Sequence, residues 1–111
     1  MPTSPTLAIA LSVHGHHIRL TERQWTHIVD SHDYMAGNRD KVLETLEEPE
    51  IVVEGDEGAS LALRLYPATN ITRKTMVVVY RDERDGFVIT CFLTSRADKI
   101  VRGRRTLWRR D

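Results

Sequence analysis

Only one cysteine is present, Cys91, and it lies in an apolar run. No internal disulfide is possible, and a reducing compartment, the cytoplasm, is the expected setting. Apolar stretches long enough to span a membrane are lacking. LAIALSV near the start is apolar, but no positive residue precedes it and HGHH follows in place of a small-residue cleavage site, so no signal peptide is expected. Net charge is missing as well, because sixteen Lys and Arg balance sixteen Asp and Glu. Charge balance therefore selects no partner class. Repeats, low-complexity tracts and an interdomain linker are also absent, and 111 residues suit one domain with a two-layer core. Without a Walker loop, GxSxG elbow, GxGxxG run or kinase signature, the common nucleotide-cofactor and serine-hydrolase readings fall away.

The charge that is present is unevenly distributed. Glu44 to Glu57 holds seven acidic residues and no basic one, whereas Arg96 to Asp111 holds seven basic and two acidic residues. A basic C-terminal segment over 96–111 suits phosphate, or it is a solvated tail. Leu7 to Val13 and Ile18 to Leu20 read as extended segments around HGHH. A helix follows from Glu22 to about His32, since Thr21 and Gln24 have capping-box spacing and Trp25, Ile28 and Val29 form an apolar stripe. Asn38 suits the cap of a second helix, Arg39 to Glu47, with Val42, Leu43 and Leu46 inward and Pro49 as its stop. After Pro49 the pattern is that of strands. In SLALRLYP, Leu61, Leu63 and Leu65 share one face while Ala62, Arg64 and Tyr66 share the other. The economical arrangement is α+β: one domain over 1–111, two N-terminal helices on one face of an antiparallel sheet of about four strands, and the other face open.

Two histidines stand in TERQWTHIVDSH. His27 and His32 are five residues apart, about 140° around a helix axis, so they cannot chelate one ion from one helix. His32 continues the apolar stripe, and His27 points elsewhere. In HGHH, His14 and His16 share a face if extended, but no second histidine or cysteine pair stands at zinc-finger spacing and Cys91 is alone. A polar turn or a small metal-binding protein are the two readings of that run. Further polar residues fall on or beside strands: Arg64, Tyr66, Lys74, Thr90 and Thr94. Singly, each is ordinary on a solvent-facing strand. Together with a histidine they supply the parts of metal-free RNA cleavage: a base for the 2'-hydroxyl, an acid for the leaving 5'-oxygen, and cations for the phosphate charge.

The order of IRLTERQWTHIVDSH, VLETLEEPEIVVEG, LRLYP and KTMVVVYRDERDGFVITCFLT resembles the phage-type branch of the barnase, EndoU, colicin and RelE superfamily of nucleases, over about Ile18 to Thr94. There a W-x-H-I segment, a T-L-x-x-P-x-x-I segment, an R-x-Y strand and a V-I-T strand recur in this order. The resemblance implies two N-terminal helices ahead of an antiparallel sheet whose open face binds RNA, and endoribonuclease activity by 2'-hydroxyl attack without metal or cofactor. It also implies use as a toxin, with an antitoxin or immunity protein as partner, in toxin–antitoxin or phage conflict. Carried over by position, His27 is the W-x-H-I histidine and His32 the second helix histidine, the stronger candidate for acid or base. Arg64 and Lys74 become phosphate clamps, Tyr66 stacks on a base or shares in proton transfer, and Thr90 donates to phosphate or ribose. Asp33 departs from the proline frequent in the family after the second histidine; it orients the imidazole or marks a different loop. The basic tail, Arg102 to Arg110 with Trp108, is then either an RNA-gripping arm or a segment docked on the sheet edge, with Trp108 stacking on a base or anchoring in the core. The alternative is a non-catalytic module of the same fold that binds RNA or a protein.

Overall fold

Residues 4–111 are described by the structure, a computed structural model. In chain order the elements are β1 (Thr6–Leu11), β2 (His17–Thr21), α1 (Glu22–Ser31), a 3₁₀ turn (Asp33–Gly37), α2 (Arg39–Glu47), β3 (Ile51–Glu54), a second 3₁₀ turn (Asp56–Gly58), β4 (Ser60–Tyr66), β5 (Lys74–Arg81), β6 (Gly86–Thr94), α3 (Ala97–Val101) and β7 (Thr106–Arg109). Among these residues no helix is long and apolar enough to cross a membrane.

The class is α+β, but the expected two helices on about four antiparallel strands are replaced by three helices and one mixed sheet of seven strands, ordered β1-β2-β6-β5-β4-β3-β7. The extended segments around HGHH form a hairpin, β1 and β2, that precedes both long helices and joins the sheet through a parallel pairing of β2 with β6. Gly86 makes that junction possible. A Cβ there would lie 2.4 Å from the Arg81 carbonyl oxygen and 2.5 Å from Ile18 Cδ1, so a side chain would displace the backbone of the β5–β6 turn and crowd Ile18. At the other edge the basic C-terminal segment is not a free arm: α3 and β7 lie within it, and β7 pairs antiparallel with β3, Trp108 opposite Val52.

Thr21 caps α1, its hydroxyl accepting the Gln24 N–H at 3.2 Å. The capping box is only half made, because the Gln24 side chain donates to the Ile89 carbonyl and so ties α1 to the free edge of β6. Asn38 makes no side-chain cap on α2; its amide donates to the Tyr34 carbonyl at 2.8 Å and to Asn70 Oδ1 at 3.0 Å. The main core lies between these helices and the sheet, with Ile28, Met35, Val42 and Leu46 against Val52, Ala62, Met76, Val78 and Cys91, all buried. Each Val, Leu, Ile or Met among them contributes about 1.5–3 kcal/mol of burial. A second cluster occupies the opposite face, where Val53, Leu61, Leu63 and Val77 pack with Phe92 and with Ala97, Ile100 and Val101 at α3. Both faces are therefore covered at least in part, and the faces assigned to β4 exchange roles. Leu61 and Leu63 face α3, whereas Ala62, Arg64 and Tyr66 face α2.

Candidate functional site

The residues singled out in the sequence divide between the two faces. Arg64 and Tyr66 face α2. The Arg64 guanidinium donates to the Glu48 carbonyl at 2.6 Å and lies 3.4 Å from Glu44 Oε1, while the Tyr66 hydroxyl donates to the same Glu44 oxygen at 2.5 Å. Arg110 also donates to the Glu48 carbonyl, at 2.7 Å. Two arginines thus satisfy a carbonyl left unpaired at the C-terminal end of α2 and meet the negative end of its dipole. Burial, with the bond to Glu44, pushes the Tyr66 phenol up to about 12, so it stays protonated and serves as a donor. Lys74 stands opposite Tyr66 in the β4–β5 ladder, on that same face. Of the residues expected as phosphate clamps and a stacking or proton-transfer group, Arg64 and Tyr66 are thus bonded to α2, and Lys74 pairs with Tyr66 across the ladder.

His27 is exposed on α1, beside an open surface hollow shared with Arg23 and Asp30, and meets none of the other candidates. His32 is placed differently. As the C-cap of α1 it donates its N–H to the Ile28 carbonyl at 2.8 Å, and the chain turns directly into the 3₁₀ segment that carries Tyr34. Tyr34 Oη accepts the Leu93 N–H at 3.3 Å and lies 3.4 Å from His32 Nδ1. The Tyr34 oxygen keeps a second lone pair and its proton beside the Leu93 bond, so it can pair with Nδ1 in either protonation state of the ring. The His32 ring lies 5.7 Å from the Tyr34 ring and 6.1 Å from that of Phe92, tilted against both.

Phe92 belongs to the α3-side face, and strand alternation puts Thr90 and Thr94 on that face with it. Thr90 pairs with Val79 just beyond an irregularity in the β5–β6 register, and Thr94 pairs with Thr75. The Thr94 hydroxyl accepts the Arg96 N–H at 2.9 Å. An imidazole, an aromatic ring and two hydroxyls therefore share one rim of the sheet, where β6 has outrun β2 and its edge is met by side chains of α1 and Tyr34. Of the residues expected from sequence, His32 stands at this edge beside Phe92 and Thr90 lies on the same strand face as Phe92, whereas His27, Arg64, Tyr66 and Lys74 lie elsewhere. Tyr34 and Phe92 were not anticipated; the one signal was an aromatic two residues after a histidine.

HGHH forms a second cluster, at the opposite end of β6. Asp82, in the turn after β5, receives the Ser12 hydroxyl at 2.7 Å, His14 Nδ1 at 2.5 Å and His16 Nδ1 at 2.9 Å, with its own side chain only 7% exposed. Burial alone would raise this carboxyl, but the bonds from His14, Ser12 and His16 outweigh it and hold the group below its ordinary value. Each imidazole contacts a different carboxylate oxygen, so the ring nitrogens do not point at a common centre. Among the described residues no group of three His, Cys, Asp or Glu side chains is arranged to hold a metal ion. The cluster clasps the β1–β2 turn to the β5–β6 turn. Cys91 is buried, and burial pushes its thiol up to about 12, leaving it inert as a nucleophile.

Comparison with protein-family models, with curated proteins and with solved structures yields no match.

Proposed function

We propose that the α3-side face of the sheet binds RNA at its His32 rim, and that His32 transfers a proton in metal-independent cleavage by 2'-hydroxyl attack. The observation that supports this reading most is the seating of His32. One nitrogen is held by Tyr34 Oη, the other is left for a ligand, and the ring stands beside Phe92 on a rim that also carries Thr90 and Thr94. Imidazole exchanges protons near neutral pH. As imidazolium, His32 donates Nδ1–H to Tyr34 and gives its Nε2 proton to the leaving 5'-oxygen, while the attacking 2'-hydroxyl loses its proton to solvent water as its oxygen bonds to phosphorus. Phe92 offers a face to an unstacked base, and the threonine hydroxyls donate to phosphate or ribose. For phosphate charge the reading uses Arg96, exposed and two residues beyond Thr94, in place of Arg64. The lone, buried Cys91 fits a cytoplasmic setting.

A specific observation favours a second reading, a module that binds RNA without cutting it: Arg64 and Tyr66 are occupied at α2. Incubating the protein in excess EDTA with labelled RNA, matching DNA and DNA carrying a single ribonucleotide decides between them. Under the first reading RNA is cut at the ribose to a cyclic phosphate and DNA survives. Intact RNA that is nevertheless retained by the protein supports the second reading.

A further inference from the structure

A cavity of about 390 Å³ opens between α3 and the sheet, with Leu61, Val77, Val79, Phe92 and Ile100 among the residues lining it. That volume lies at the lower end of the range typical of small-molecule sites. Its walls are apolar, yet its rim is not: Arg81 and Arg104 stand there with Asp56 and Glu57.

The rim is built around Arg81. Glu57 and Gly58 adopt left-handed backbone angles in succession, φ 54° and 81°. The first turns the Glu57 carbonyl toward Arg81, whose guanidinium donates to it. The second has to be glycine, because a Cβ there would meet Arg81 Nη1 at 3.0 Å at a φ that side chains resist. Arg104 is held in turn by the Ile100 carbonyl at 3.0 Å and Asp56 Oδ1 at 3.2 Å. Both guanidinium groups are thus fixed by bonds that use only part of their five N–H donors. A left-handed non-glycine residue is unusual and persists where its surroundings hold it in place.

We propose that this cavity receives a nucleobase, the one flanking the phosphate at His32. The inference rests on the RNA reading above and deepens it. A base presents two apolar faces and an edge of donors and acceptors. The cavity presents apolar walls and a rim of fixed guanidinium donors and carboxylate acceptors. A purely aliphatic ligand would make no use of the donors that remain on those guanidinium groups. Phe92 joins the two places, since its ring both lines the cavity and stands 6.1 Å from the His32 ring. A base against Phe92 therefore brings its sugar-phosphate toward the histidine.

The test uses the four nucleoside 3'-monophosphates as probes, titrated into isotope-labelled protein. The expected result is saturable shifts at Gly58, Phe92 and Ile100, unequal among the four bases. Arg81→Ala should weaken binding at least fivefold, and Val79→Trp, at a position only partly buried, should abolish it by filling the cavity. Shifts confined to other surfaces, or unchanged in both variants, overturn the inference. RNA cleavage assayed on the same proteins separates the two failures. Cleavage with unaltered rate and base preference in both variants rejects the cavity and leaves the nuclease reading intact. Nucleotide binding in the cavity by a wild-type protein that cuts no RNA rejects the nuclease and keeps the base site.

Discussion

Tyr34 Oη lies 3.4 Å from His32 Nδ1 while accepting the Leu93 backbone N–H, so one hydroxyl joins the end of α1 to the free edge of β6. Replacing it separates a positioning role from a catalytic one. Tyr34→Phe should lower kcat about twofold to thirteenfold, the rate equivalent of a hydrogen bond of about 0.5–1.5 kcal/mol, with KM nearly unchanged. It should also cost about 1 kcal/mol of stability by stranding the Leu93 N–H. Single-turnover kinetics and urea unfolding read the two effects separately.

Arg64→Ala should destabilise the fold by about 1–3 kcal/mol, because a bond from a charged donor to the Glu48 carbonyl is lost. RNA affinity should stay within about twofold, within the range of a surface change remote from a site. A filter-binding assay in which this variant loses RNA while keeping its unfolding midpoint would restore Arg64 as a phosphate clamp.

Asp82 makes stability depend on acid. Its folded carboxyl titrates below its unfolded value, so the stabilisation is fully present above the unfolded pKa of about 3.9 and is lost as pH falls through the folded pKa. Urea midpoints should hold steady from neutral pH down to about 5 and then drop. Asp82→Asn should start lower at pH 7 and lose less below pH 4; parallel curves for the two proteins would remove Asp82 from the account.

Tyr80 is fully buried, and its hydroxyl finds no hydrogen-bond partner among the described residues. An unpaired buried hydroxyl carries its desolvation cost without return. Tyr80→Phe should therefore leave stability unchanged or raise it by about 1 kcal/mol, measured as the shift in thermal midpoint.

Local order was legible wherever the signal was local. The hydroxyl of Thr21, the apolar stripe through Ile28 and the stop at Pro49 locate α1 and α2 within a residue of where they lie. Alternation in SLALRLYP shows which β4 residues share a face, but period two carries no information on which face meets the helices. That depends on α2 and α3, far apart in the chain, and for this reason Arg64 and Tyr66 were read as facing solvent. For TLWR among six arginines an RNA-gripping arm and a segment docked on the sheet edge stay open from sequence, because its partner, β3, lies more than fifty residues earlier; the structure has it docked. Asp82 carried no motif, and its tie to HGHH spans 66 residues or more. At the rim, His32 could be found from helix periodicity; Phe92 could not, because its nearness to His32 exists only once α1 lies along the edge of β6.

The most direct measurement is the rate of RNA cleavage in excess EDTA by His32→Ala and His27→Ala, each against the wild-type protein. Loss of an acid–base group removes about a hundredfold or more, so the account predicts a fall of that size for His32→Ala and a near-native rate for His27→Ala. Equal rates in all three proteins, or a loss in His27→Ala alone, would contradict it.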